Sequence, residues 1–118
     1  MFLIIQFALT YPSRFRTDFP RFNFMDYPQL TFEQPDRSVF KNLDLAYQAM
    51  TAKGTAACVL NAANEEAVAA FLAKRISFLE IGQLNSDVLN GTELVLNPQY
   101  EDYVHADQNA RAKVAALL

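Results

Sequence analysis

The sequence predicts a mainly α protein: a four-helix bundle preceded by an irregular leader rich in aromatic residues and proline. Three observations predict it. Four of the five prolines (Pro12, Pro20, Pro28 and Pro35) fall within residues 12–36, where missing backbone donors and extended predecessors exclude a long helix. From residue 37 onward, apolar side chains recur at three- and four-residue steps, the period of a helix with one buried face. Residues 55–75 are crowded with alanine, the strongest helix former. With 118 residues and 52% hydrophobic content, the chain can enclose one core.

The elements follow in order. Residues 1–11 form an apolar lead, MFLIIQFALTY, too short to cross a bilayer as a helix. It also lacks the charged start and the small-residue cleavage pattern of a secretory signal. It reads as a segment that packs against more protein. Residues 12–36 carry Phe15, Phe19, Phe22, Phe24, Tyr27 and Phe32, too much apolar surface for a solvated linker. Leu30-Thr31-Phe32 reads as a short strand.

Helices are expected near 37–53, 55–75, 77–90 and 98–116. Asp36 and Ser38 are candidate caps for the first, Gly54 stops it, and Phe40, Leu43, Tyr47 and Met50 form its buried stripe. In the second, Leu60, Val68, Phe71 and Leu72 are the larger apolar groups among alanines that let neighbouring helices come close. Ser77 caps the third, whose stripe is Phe78, Ile81, Leu84 and Val88, and Asn90-Gly91 closes it. Asn97-Pro98 opens the fourth, with Tyr100, Tyr103, Val104, Ala110, Val114 and Leu117 as its stripe. Short connections make sequential helices antiparallel neighbours in an up-down bundle.

Ten basic and 13 acidic residues leave a net charge of −3, without a basic run, so neither nucleic acid nor an anionic membrane is an expected partner. A single cysteine forms no internal disulfide, which suits a cytoplasmic protein. The most unusual polar group is Asn61, Asn64 and Glu65, three side chains on one helical face. A binding site and a structural tie to a loop are both open to them. Structure is favoured, since no nucleophile, base or metal partner stands nearby in sequence. Cys58 reads as a small buried hydrophobe and His105 as part of a solvated face. Gly54, Gly82 and Gly91 do not have the spacing of a phosphate loop.

Three stretches carry a resemblance. MFLIIQFALTYP (1–12) resembles the segment M-R-x-P-I-Q-Y-A-L-T-Y-P of the 1-deoxy-D-xylulose 5-phosphate reductoisomerase family. LTFEQPD (30–36) is similar to the L-T-F-E-x-P-D that begins that family's last domain, and VLNAANEEAVAAFL (59–72) to its L-N-A-A-N-E-x-x-V-x-A-F-L helix. Arg75-Ile76-Ser77-Phe78 and Ala106 to Arg111 are also similar in order and spacing. Departures are Phe2 and Ile4, where the family has arginine and proline, and Phe22 to Asp26, where its linker reads like K-P-L-D.

The resemblance implies the C-terminal helical domain of an enzyme that rearranges 1-deoxy-D-xylulose 5-phosphate and reduces it with NADPH to 2-C-methyl-D-erythritol 4-phosphate. In that enzyme a divalent metal (Mg, Mn or Co) holds the substrate oxygens, in the non-mevalonate isoprenoid pathway. It implies a division into residues 1–36, the end of the catalytic domain plus a linker, and 37–118, the helical domain. The family's cofactor motif, metal ligands and substrate contacts precede this segment. The chain alone is therefore expected to be inactive, with no catalytic, cofactor-binding or metal-binding residue; Met1 matches a methionine close to the substrate pocket. The implied partners are the remaining domains of the parent enzyme, or a second copy joined through the apolar lead. A standalone helical interaction or self-association module is the alternative.

Overall fold

The computed structural model describes the backbone of residues 2–18, 20 and 22–118, and the side chains in that range from Ile4 onward. The expectations resting on Met1, Phe19 and the side chain of Phe2 lie outside the described residues. The chain divides into two compact units, Met1–Glu33 and Gln34–Leu118.

In the first unit, α1 (Phe2–Thr10) is a nine-residue helix without a charged residue. Its last turn closes on itself: Thr10 Oγ1 donates to the Gln6 carbonyl at 3.0 Å, and the Ser13 N–H donates to the Thr10 carbonyl at 2.9 Å. Proline at position 12 then lacks the donor that another turn would need. Beyond it the aromatic residues find one another. Phe22 stacks on Tyr27 at 5.2 Å and meets Phe24 edge-on at 4.9 Å, while the Arg14 guanidinium lies 4.7 Å over the Phe7 ring. Leu9 and Phe32 nonetheless stay more than four-fifths exposed. The strand expected at Leu30-Thr31-Phe32 does not form. Among the described residues there is no strand, so this segment has no ladder partner.

The second unit holds α2 (Lys41–Ala52), α3 (Ala56–Leu72), α4 (Phe78–Asn90) and α5 (Tyr100–Leu117). The structure is mainly α, as the periodicity predicts, and the starts and stops have local causes. Asp36 does not cap α2. Its carboxylate accepts the backbone N–H and the hydroxyl of Ser38 in a turn, which delays the helix to Lys41. α2 ends where Lys53 and Gly54 turn into the left-handed region at φ 62° and 55°. At α4 the Ser77 backbone N–H donates to the Glu80 carboxylate at 2.7 Å, half of a capping box. Gln99, not Asn97, precedes α5, its N–H donating to Asp102 at 2.8 Å.

α3 is the central helix. It packs against α2, α4 and α5, α4 also touches α2 and α5, and α2 does not meet α5. The cross-section is therefore a rhombus whose short diagonal is the α3–α4 pair. Such a helix needs little bulk on three sides, and Ala56, Ala62, Ala63, Ala67, Ala70 and Val59 are all fully buried on it. Cys58 reaches Tyr103 and Glu66 reaches Arg111, both pairs 45 residues apart, so α3 and α5 run parallel.

The burial of α2 departs from expectation. Phe40, Leu43, Tyr47 and Met50 are exposed, and Leu45 and Ala49 are buried instead. Leu45 and Ala49 join Ala56, Val59, Ala62 and Ala63 of α3 in one core cluster, so a leucine and a small residue, not the stripe of rings, make the contact of α2. Ile81, Leu84 and Val88 of α4, and Ala110 and Val114 of α5, are buried as expected, but Phe78, Tyr100, Tyr103 and Leu117 are exposed.

Candidate functional site

The face of α3 bearing Asn61, Asn64 and Glu65 splits between two networks. The half-buried Asn64 turns inward. Its Oδ1 accepts a hydrogen bond at 3.0 Å from Nδ2 of Asn85 on α4, which donates its other hydrogen to Oδ1 of Asn42 on α2, also at 3.0 Å. Three helices are thus tied through one amide that is only 1% exposed. Asn85 is the residue the sequence reading missed. A signal was available: it lies four residues after Ile81, on the buried stripe of α4, where a polar side chain requires partners. Those partners are 21 and 43 residues away, beyond the reach of local pattern.

Asn61 and Glu65 turn outward. Asn61 Nδ2 donates to Glu65 Oε1 at 3.1 Å, and Arg111 of α5 grips three carboxylates: Glu65 at 2.6 Å, Glu66 at 3.0 Å and Asp107 at 2.8 Å. The guanidinium, hydrogen-bonded first to Asp107 and then to Glu65 and Glu66, is held well above its ordinary value. It in turn draws Glu65 and Asp107 below theirs, with Asn61 a second cause at Glu65. Because these side chains are about a third or more exposed, the network orients α5 on α3 more than it stabilises the fold.

Cys58 is half-buried. Burial, and secondarily Asp107, pushes its thiol up, and Sγ lies 3.5 Å from the Tyr103 carbonyl as a weak donor. It is thus a protonated thiol with a structural contact. His105 is exposed on α5.

The donor set does not fit a metal. Among the described residues, no three His, Cys, Asp or Glu side chains converge on one point. Among the described residues, Glu65, Glu66 and Asp107 gather around Arg111, which is already their cation. No helix among the described residues is long and apolar enough to cross a membrane.

Between α2 and α3 lies an open groove of about 480 Å³. Asn42, Asn61, Asn64 and Asn85 line it together with Ala46, Ala49, Met50, Ala57 and Leu60. A second groove, of about 430 Å³, lies between the starts of α2 and α4 and exposes Val39, Phe40, Phe78 and Leu79.

Comparison with known proteins places this architecture. Residues 1–113 match the family model described as DXP reductoisomerase C-terminal domain. The chain is 43% identical over 118 residues to 1-deoxy-D-xylulose 5-phosphate reductoisomerase of Phocaeicola vulgatus, covering 100% of this chain and 31% of that protein. It is 45% identical over 118 residues to the same-named protein of Bacteroides thetaiotaomicron, covering 100% of this chain and 30% of that one. A solved structure of 1-deoxy-D-xylulose 5-phosphate reductoisomerase from Zymomonas mobilis in complex with NADPH superposes with a TM-score of 0.79 at 37% identity, over 96% of this chain and 30% of that one. The chain thus spans less than a third of the length of the relatives it matches.

Proposed function

The chain belongs to the 1-deoxy-D-xylulose 5-phosphate reductoisomerase family, of which it spans the C-terminal domain, and from that premise we propose that it is the structural helical domain of such an enzyme. The parent enzyme converts 1-deoxy-D-xylulose 5-phosphate to 2-C-methyl-D-erythritol 4-phosphate with NADPH and a divalent metal, in the cytoplasm. Its chemistry belongs to the preceding two-thirds. In this reading residues 1–36 are the end of the catalytic domain and a linker, residues 37–118 are the helical domain, and Met1 lies beside the substrate pocket. Asn61, Asn64 and Glu65 are scaffold: Asn64 and Glu65 tie α3 to its neighbours, and Asn61 supports Glu65, rather than meeting substrate.

The observation that carries this reading is the family match over residues 1–113, joined to a donor set in which the gathered carboxylates are already closed on Arg111. The partners are the remaining domains of the parent enzyme. A second copy is also a partner, through α1, because a charge-free helix with Ile4 and Leu9 at 75% and 82% exposure is poorly solvated.

A domain exchange tests the assignment. This chain replaces the matching C-terminal segment of the Bacteroides thetaiotaomicron protein, and NADPH oxidation with 1-deoxy-D-xylulose 5-phosphate is followed. The hybrid is expected to turn over and the 118-residue chain alone to match the buffer blank. A folded but inactive hybrid, or chelator-sensitive turnover by the chain alone, would overturn the proposal.

A further inference from the structure

The pair Asn90-Gly91 closes α4, and the scaffold role leaves its chemistry unused. Asn90 is the one asparagine in the chain that glycine follows. Space calls for glycine there: a Cβ on Gly91 would stand 2.9 Å from the Asp87 carbonyl oxygen. The consequence is a reactive pair. With no side chain to shield it, the Gly91 nitrogen can approach the side-chain amide of Asn90, and asparagine is a thermolabile residue. Both residues are exposed, so water and base reach them.

The fold holds the two reacting groups apart. Asn90 is the last residue of α4, and a helical ψ of about −42° turns its peptide bond to Gly91 away from its own Cγ. The Gly91 N–H, whose proton must be given up before attack, donates to the Asp87 carbonyl at 2.9 Å. Asn90 Nδ2 donates back along the helix to Ser86 Oγ at 3.3 Å. From α5, Lys113 Nζ donates to the Gly91 carbonyl at 2.5 Å and to Thr92 Oγ1 at 3.0 Å. Thr92 Oγ1 in turn donates to the Val88 carbonyl at 2.6 Å. One lysine thus fastens the last turn of α4, as a cation at the negative end of the helix dipole.

We propose that Asn90 is a spontaneous modification site: it deamidates when the last turn of α4 opens, and Lys113 is the side chain that keeps that turn closed. On opening, the Gly91 nitrogen gives its proton to solvent base and bonds to Cγ of Asn90. The Cγ–Nδ2 bond breaks, and Nδ2 takes up a proton and leaves as ammonia. Water then opens the cyclic imide at either carbonyl, with no change of oxidation state. Attack at Cγ gives aspartate; attack at the main-chain carbonyl gives isoaspartate. Aspartate sets a negative charge at the negative end of α4. Isoaspartate adds a methylene to the main chain and draws the Gly91 carbonyl away from Lys113. Either product loosens the contact of α4 with α5.

The 118-residue chain is aged in warm, mildly alkaline buffer, and its tryptic peptides, of which 76–111 holds Asn90, are sequenced by tandem mass spectrometry. In guanidinium chloride that unfolds the chain, modification is expected at Asn90 before any other asparagine. In the folded chain the same reaction should be at least about tenfold slower, since it waits for the helix end to open. Lys113→Met keeps a long side chain and removes its donors, and in the folded state it should speed the reaction about threefold to tenfold. Asn90→Gln, which must close a larger ring, should abolish the change at this position. Should Lys113→Met fail to fold, hydrogen exchange of the wild-type Gly91 N–H decides in its place: protection of about tenfold or more is expected, and an unprotected N–H overturns the proposal. Equal rates in the folded and unfolded chain, or in folded Lys113→Met and wild type, would also overturn it. So would earlier modification at another asparagine of the unfolded chain.

Discussion

Replacing Gly54 by alanine should cost the bundle a large part of its stability. Gly54 has φ +55°, and a Cβ built on it would stand 2.0 Å from the carbonyl oxygen of Val95 and 2.9 Å from Cα of Leu96. Neither obstacle is the free end of a side chain. The Val95 carbonyl accepts the Thr55 N–H at 3.0 Å, and the Val95 N–H donates to Thr55 Oγ1 at 3.1 Å. Thr55 is 1% exposed, so withdrawing Val95 to relieve the clash would unpair buried groups. The left-handed backbone costs a non-glycine residue about 1–2 kcal/mol. Each lost hydrogen bond adds about 0.5–1.5 kcal/mol, which brings the total to about 2–5 kcal/mol. For a domain of this size each kcal/mol moves the midpoint by about 4–8 °C, so a fall of about 8–40 °C is expected in a far-ultraviolet circular dichroism melt. Gly82→Ala is the control. There the new methyl would meet Lys41 Cβ and Cδ at 3.5 Å, ordinary contact, inside α4. That exchange should be neutral or stabilising by up to about 1 kcal/mol. A Gly54→Ala midpoint within about 3 °C of wild type would show that the 92–97 loop yields freely and that the clash argument is wrong.

Asn64→Ala strips a hydrogen-bond acceptor from the buried Asn85 amide and should lower stability by about 1–3 kcal/mol in chemical denaturation; an unchanged midpoint would remove Asn64 from the scaffold. Acid should loosen the α3–α5 contact. Glu65 and Asp107 are held below their ordinary values of 4.5 and 3.8, so their contribution is complete above those values and is lost as pH falls below them to the lowered ones. Melting midpoints of wild type should therefore drop over that window more steeply than those of Arg111→Gln; parallel curves would show that the network contributes nothing. Light scattering after size exclusion at micromolar concentration should show a dimer that becomes monomeric when residues 1–11 are deleted. A monomer in both cases would contradict self-association through α1.

What could be read from the sequence alone was whatever a few adjacent residues decide. Proline placement kept long helices out of residues 12–36, and apolar spacing with alanine content put four helices after them. Ser77 opens α4 because its partner Glu80 is three residues away, and Gly54 ends α2 because its own backbone angle does. The motifs at 1–12, 30–36 and 59–72 carried the family, since such strings are local too. Asn64 stood out as a poor helix former at the centre of a helix.

Tertiary structure alone decided which face of each helix is buried and what the polar groups meet. Hydrophobicity favoured Phe40, Tyr47 and Met50 as the inner face of α2, but packing selected Leu45 and Ala49. Asn61, Asn64 and Glu65 share a helical face in sequence, yet Glu65, bonded to Asn61, joins Arg111 on α5, while Asn64 joins Asn85 on α4, which also reaches Asn42 on α2. The reason is geometric. Helix periodicity says which side chains lie on the same side, whereas burial depends on how closely a neighbour can approach, and on α3 the small side chains of alanine set that distance.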